Sequence, residues 1–292
     1  MVAKRPSYIR RADSLLRLHI LPALGSAKVE AITPDQVRAW WQALPLGEHR
    51  RTCDLAYGVL RSILNTAVED GLIETSPCHV SKAGRPSEER KVRALDYGQV
   101  EAIADHMPER WRLAVLLAGW LGLRDGEIRE LRRKDIDLKA KTITISRQVT
   151  RGPGGPVVTD PKTEAGIRTV AMPAPLVDEV RQHLRDYAQI GPEGLLFYAV
   201  RSGQHAPDSP WRRALAAACE AAGLPPTSWH PLRHTALTRL ALAGATKREL
   251  MATAGHRDGR AADRYQALAA DHAAEVLDRV SDAIEAARKK PA

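Results

Sequence analysis

Arg124, Lys162, His230, Arg233, His234, His256 and Tyr265 occur in that order along the chain. Tyr265 stands 32 residues after Arg233 and nine after His256. A guanidinium holds two phosphate oxygens at once and stays charged at any working pH. A lysine can give a proton to a leaving oxygen, a histidine can take one, and a phenol can attack phosphorus as it loses its own. Two arginines, a lysine, histidines and a tyrosine are therefore a complete set for breaking a phosphodiester without a metal.

The local patterns agree with that chemistry. His230, Arg233 and His234 fall at i, i+3 and i+4 and share one face of a helix. Pro231 suits a first helical turn, which places His230 at an N-terminal edge where backbone N–H groups already favour an anion. Two histidines four apart are also a metal-ligand spacing. A zinc-protease motif needs Glu directly after the first histidine, however, and Pro231 stands there with no cysteine nearby, so no metal and no cofactor are expected. Arg124 lies between an apolar stretch ending in Gly122-Leu123 and a helix opening near Glu127. From such a junction a side chain can point out of a rigid support into a cleft. Glu127 either buttresses Arg124 or improves the helix N-terminus. Tyr265 follows Asp263-Arg264 in a short helix; its ordinary pKa of about 10 makes it a poor nucleophile unless cations favour the phenolate. A lone arginine is ordinarily a surface residue and a lone tyrosine an ordinary half-buried one, so the order and spacing of the set carry the signal.

The elements that must position these residues read as mainly α with a small β-sheet insert. Thr33-Pro34-Asp35-Gln36 predicts a helix start with a capping box, and Val37, Trp40, Trp41 and Leu44 give it one apolar face. A second helix is expected from about Thr52 to Val68, with Leu55, Val59, Ile63 and Ala67 beside Leu60, Leu64 and Val68 as its stripe; Asp70-Gly71 ends it. Residues 1–78 make a helical domain, the charged stretch 79–92 a linker, and 93–292 a second domain opening near the N-cap Asp96. Thr142–Ile145 and Ile167–Ala171 read as strands, Arg151–Pro156 as a flexible turn region between them, and Lys162 as lying beside a turn. Helices resume after Pro173 and run to an Ala-rich segment over Asp271–Ala287.

Composition sets the frame. The chain has 292 residues, 44% hydrophobic, enough for one large or two ordinary domains with real cores. Few aromatics and an apolar content resting on Ala, Leu and Val favour helices over a β-sandwich. A formal charge of +9 suits a polyanionic partner. Cys53, Cys78 and Cys219 form no CxxC and suggest no disulfide framework. No signal peptide is visible, and the longest apolar run, Leu113–Leu123, is broken by Gly119 and Gly122 and too short to span a bilayer. A soluble, cytoplasmic protein without a membrane partner is expected.

The set resembles the tyrosine recombinase (phage integrase) family. His230-Pro231-Leu232-Arg233-His234 reproduces the family's His-x-Leu-Arg-His box, Gly255-His256 its Gly-His, and Tyr265 stands at the usual spacing. Gly122-Leu123-Arg124 with Glu127 matches its first box and Lys162 its β-hairpin lysine. In the first domain, Ile20–Gly25 and Ala67–Ile73 are similar to the core-binding domain of phage-type integrases. Two positions depart from the pattern: Ala262 where Thr is frequent, and Ala254 where Leu is usual. The chain opens almost at the core-binding domain, so the extra arm-binding domain of many integrases is not expected within it. The resemblance implies a SAM-like core-binding domain followed by an α+β catalytic domain. It implies that Tyr265 attacks the scissile phosphate to leave a 3′-phosphotyrosyl link, Arg124 and Arg233 stabilise the non-bridging oxygens, and Lys162 protonates the 5′ oxygen. His230 would act as base, with His234 and His256 orienting the phosphate. The implied partners are double-stranded DNA, three further copies in a homotetramer on synapsed sites, and accessory DNA-bending or directionality proteins. A phage or mobile-element integrase is the expected role. A Xer-type or transposon resolvase, a type IB topoisomerase and a non-catalytic DNA-binding relative are the alternatives.

Overall fold

The computed structural model describes residues 6–81, 83–84, 94–152, 155–160, 166–255, 259, 262–267 and 269. The expected helix over Asp271–Ala287, Lys162 and His256 lie outside the described residues. The chain divides into two compact units, Met1–Lys91 and Val92–Ala292.

In the first unit, α1 (Pro6–Leu15) runs through a π-turn (Leu16–Ile20) into α2 (Leu21–Leu24), followed by α3 (Pro34–Ala43) and α4 (Leu46–Glu69). The capping box of α3 forms as read: Thr33 Oγ1 accepts from Gln36 N, and Gln36 Oε1 accepts from Thr33 N. The core centres on Tyr57, stacked on Trp40 and edge-on to Trp41 at 6.4 and 5.4 Å between ring centroids.

Helix α4 departs from expectation twice. It starts six residues before Thr52, at Leu46, with a non-helical turn at His49 (φ −120°). Its buried face is Cys53, Ala56, Tyr57, Leu60, Leu64 and Ala67, whereas Leu55 and Ile63 are exposed. The aromatic pair on α3 selects the face presented by Tyr57, and that rotates Leu55 and Ile63 to the surface. Two hydrogen bonds tie the stretch read as a linker back to α4. Tyr57 Oη accepts from Val80 N, and buried Asp54 accepts from Gly84 N.

In the second unit, α5 (Tyr97–Asp105), α6 (Glu109–Leu121) and α7 (Asp125–Glu130) precede the strands. Asp96 caps α5 in a reciprocal box with Gln99. Helix α6 is buried almost all round, from Leu113 to Leu121, and is the centre of the core. Strands β1 (Ile136–Asp137), β2 (Thr142–Ile145) and β5 (Arg168–Ala171) make an antiparallel sheet in the order β1-β2-β5, with Ile145 opposite Arg168. The chain reverses within the Arg151–Pro156 turn region, and the turn's outer residues extend a hairpin of β3 (Gln148–Gly152) and β4 (Gly155–Thr159), Arg151 pairing with Pro156 and Gly152 with Gly155. β-branched Val149, Val157 and Val158 supply the ladder. Helices α8 (Ala174–Asp186), α9 (Asp208–Ala221), α10 (Trp229–Leu242) and α11 (Lys247–Ala254) follow, then a short helix over 262–267. Trp211 on α9 stacks on Trp229 at 4.6 Å, closing the core beneath the start of α10. Among the described residues no helix is long and apolar enough to cross a membrane. All three cysteines are free thiols.

Candidate active site

Helix α6 ends at Gly122, whose left-handed backbone (φ +69°) breaks the helix and turns the chain towards Arg124. Arg124 occupies the N-cap position of α7. One turn on, Glu127 does both things its position allows. Its Oε1 accepts from Arg124 Nη1 at 2.7 Å and its Oε2 from the Arg124 backbone N–H at 2.8 Å. The same carboxylate is gripped from the sheet by Arg168, Nη1 to Oε1 at 2.9 Å and Nη2 to Oε2 at 2.8 Å. Glu127 is buried at 4% exposure. Burial alone would push its carboxyl up. The hydrogen bonds and charge of Arg168, with the charge and backbone N–H of Arg124, outweigh that and hold it at about 2.

Arg233 projects from the second turn of α10 into the interior at 3% exposure. Its Nη1 donates to the Gly122 carbonyl at 2.5 Å and its Nη2 to the Ala254 carbonyl at 2.6 Å. Burial, then the neighbouring charge of Arg124, pulls its pKa down to about 9, with Glu127 acting the other way. The guanidinium is thus charged at neutral pH, although burial and the charge of Arg124 disfavour that charge.

The C-terminal end of α11 organises the arginines. A helix end leaves carbonyls without intrahelical partners and carries partial negative charge. Here consecutive carbonyls each accept from a different arginine. Thr253 takes Arg168 Nε at 2.8 Å, Ala254 takes Arg233 Nη2, and Gly255 takes Arg124 Nη2 at 3.2 Å. Gly255 supplies the left-handed C-cap (φ +61°) that makes this turn. The two arginines singled out in the sequence therefore converge on adjacent peptide units.

Tyr265 is half-buried on the helix over 262–267. Its ring lies 5.2 Å from that of His234, tilted by 42°. Ala262 is 1% exposed and packs with Ala241 and Leu250, so the small residue found there serves the docking of this helix on α10 and α11. Gln266 Nε2 donates to the Ala245 carbonyl at 2.6 Å, and Lys247 pairs with Asp263. His230 is exposed in the first turn of α10, the place Pro231 predicts. The structure thus brings Arg124, Glu127, Arg233, His234 and Tyr265 into one neighbourhood, while the positions of Lys162 and His256 are not described. Among the described residues no group of three or more His, Cys, Asp or Glu side chains could hold a metal ion.

Sequence reasoning missed Arg168. Its signal was parity: in a strand ending Arg168-Thr169-Val170-Ala171, Arg168 shares a face with Val170, and that face is buried.

A family model described as "Phage integrase family" matches residues 93–272, and one described as "Phage integrase, N-terminal SAM-like domain" matches residues 4–44. The chain is 38% identical over 266 residues, 91% of its length and 69% of the other's, to a Mycobacterium tuberculosis protein named as the integrase of prophage phiRv2. Among solved structures it is similar to the Tn1549 transposon integrase in complex with transposon right end DNA, with a TM-score of 0.79, 20% identity and 95% of each chain covered. It is also similar to a lambda integrase tetramer bound to a Holliday junction, with a TM-score of 0.65, 18% identity, and 90% of this chain and 72% of that one covered. The fold is theirs: a helical SAM-like domain followed by a mainly helical domain with small sheets.

Proposed function

Because the chain belongs to the phage integrase family of site-specific tyrosine recombinases, we propose that it cleaves and rejoins duplex DNA through a 3′-phosphotyrosyl intermediate, in the integration or excision of a phage-type element. The observation that carries the reading is the convergence of Arg124 and Arg233 on the adjacent carbonyls of Gly255 and Ala254, beside the turn that leads to His256. Backbone anchors fix both guanidiniums before any substrate arrives. Preorganised charge of this kind usually contributes the largest share of transition-state stabilisation.

In this mechanism the Tyr265 phenol attacks the scissile phosphorus and the bond from phosphorus to the 5′ oxygen breaks. The phenolic proton passes to His230, and Lys162 gives a proton to the departing 5′ oxygen. Arg124 and Arg233 bind the non-bridging oxygens, with His234 and His256 orienting the phosphate. His234 supports this role from the same helix as Arg233, with its ring against Tyr265. Attack by the 5′ hydroxyl of a partner strand reverses the step. The phosphotyrosyl link conserves the bond energy, so no cofactor is consumed. The working unit is a homotetramer of this chain on a synapsed pair of DNA sites, with residues 1–78 and 93–292 as core-binding and catalytic domains. Accessory DNA-bending or directionality proteins would set the outcome. The net charge of +9 fits the polyanionic partner.

The test is a denaturing gel of the protein mixed with DNA from beside its own gene. The expected result is a protease-sensitive, slowly migrating DNA band, absent for Tyr265→Phe although that variant binds the same DNA. An adduct that persists in Tyr265→Phe would assign the nucleophile elsewhere.

A further inference from the structure

Resting on the recombinase reading, we infer that Arg168 is a positioning residue for both phosphate-binding arginines. It would act on Arg124 through Glu127 and on Arg233 through the C-terminal turn of α11. Arg168 is 8% exposed and donates to two other elements and to the residue two before it in its own segment. It takes both oxygens of Glu127 on α7, the Thr253 carbonyl at the end of α11, and the Gly166 carbonyl at 3.4 Å. A buried arginine that spends its fork on a carboxylate and a helix end fixes the separation of those two elements. Those are the elements that carry the anchors of the catalytic pair: α7 begins at Arg124, and the Ala254 and Gly255 carbonyls hold Arg233 and Arg124.

The charge balance assigns Arg168 a second effect. Arg124 and Arg168 share one carboxylate. With Arg168 in place, part of the Glu127 charge is already committed, and Arg124 keeps positive charge to offer a phosphate. Without it, both Glu127 oxygens would be left to Arg124 alone, through its side chain and its backbone N–H, and would draw the guanidinium down onto the helix. Lysine cannot substitute fully, because one ammonium cannot reproduce a bidentate grip on Glu127 together with the Nε bond to Thr253. Arg168 itself need touch neither DNA nor the reacting atoms.

The experiment measures single-turnover covalent adduct formation and DNA binding for the full chain, for Arg168→Met, Arg168→Lys and Glu127→Gln, and for the Glu127→Gln/Arg168→Met pair. Arg168→Met is expected to slow adduct formation about 100-fold, the size of effect that a displacement of about 1 Å produces, with the Kd for the same DNA unchanged. Arg168→Lys should recover part of the rate. The double variant should lose less than the product of the single losses, because removing both partners leaves no unpaired buried charge. Parallel losses of binding and cleavage, no rescue by lysine and multiplicative losses in the double variant would make Arg168 a fold-stabilising residue only. Should Arg168→Met fail to fold, the lysine and double variants decide the matter by the same comparison. A wild-type chain that forms no adduct overturns the recombinase reading. A wild-type chain that does, with Arg168→Met cleaving at the wild-type rate, overturns only the role of Arg168.

Discussion

Replacing Arg233 with methionine should abolish most cleavage and leave the fold nearly as stable as before. The argument starts from its burial. The guanidinium is 3% exposed, and its pKa falls from 12.5 to about 9. Burial and the proximity of Arg124 therefore penalise its charge by about 5 kcal/mol in the folded state. Methionine, of similar length and apolar, removes that penalty. Against this, the Gly122 and Ala254 carbonyls lose their partner, at about 1–3 kcal/mol for each buried group left unsatisfied. The two effects nearly offset. Arg233→Met should melt no more than about 4 °C below the parent, at roughly 2–4 °C per kcal/mol for a domain of this size. Its cleavage should fall about 10²–10³-fold, the usual loss when one preorganised donor to a developing charge is removed. A phosphate at this site would bring negative charge to a guanidinium whose charge burial and Arg124 disfavour. The assay pairs a thermal melt by circular dichroism with single-turnover adduct formation and a gel-shift Kd on the same DNA. A fall in melting temperature above about 10 °C, with binding and cleavage lost in equal measure, would refute the reasoning and make Arg233 a structural tie.

Two further outcomes are expected. Burial pushes the His183 imidazole down, against the raising effect of its bond to the Leu196 carbonyl, to about 4 from 6.5. The native state therefore binds fewer protons than the unfolded chain between pH 6.5 and 4, and stability is complete above 6.5 and declines by about 3 kcal/mol as pH falls through that window. Melting temperatures of His183→Leu should lose this part of the acid slope, and an unchanged slope would count against the assignment. A Cβ on Gly126 would meet the Val149 carbonyl oxygen at 2.5 Å. Gly126→Ala must then push α7 off β3, at a cost of about 1–3 kcal/mol. Because α7 carries Glu127 and starts at Arg124, cleavage should drop more than DNA binding, and a variant with wild-type cleavage and melting would show that the contact yields freely.

What the sequence revealed was whatever is encoded locally. The capping box at Thr33 and the N-cap at Asp96 are encoded within a few residues, and both form, Asp96 with a reciprocal bond from Gln99 that was not read from the sequence. The His230–His234 spacing fixes a helix face without reference to anything else in the chain, and Pro231 fixes where that helix begins. Strand β2 was legible from Thr142–Ile145 because its alternation matches its burial. Readings failed where a distant element decided. Helix α4 has apolar residues on more than one side, and only the rings of Trp40 and Trp41 determine that Tyr57 faces the core while Leu55 and Ile63 do not. The turn region over Arg151–Pro156 was legible, but the pairing of its outer residues, Arg151 with Pro156 and Gly152 with Gly155, was not.

The site divides along the same line. Side chains proposed to do chemistry must be particular residue types, so Arg124, Glu127, Arg233 and Tyr265 could be singled out by identity and order. The groups that aim them are mostly backbone carbonyls: Gly122 and Ala254 for Arg233, Gly255 for Arg124, Thr253 for Arg168. A carbonyl is present at every residue, so its use leaves no mark on residue identity. Only the left-handed turns at Gly122 and Gly255 betray it, since those φ values favour glycine. Ala254 illustrates the point from the other side. Its side chain departs from the family pattern, but the atom that holds Arg233 is its backbone oxygen, which substitution does not remove. At 254 the contact to Arg233 does not depend on the side chain, whereas the left-handed φ at 122 and 255 disfavours any residue but glycine.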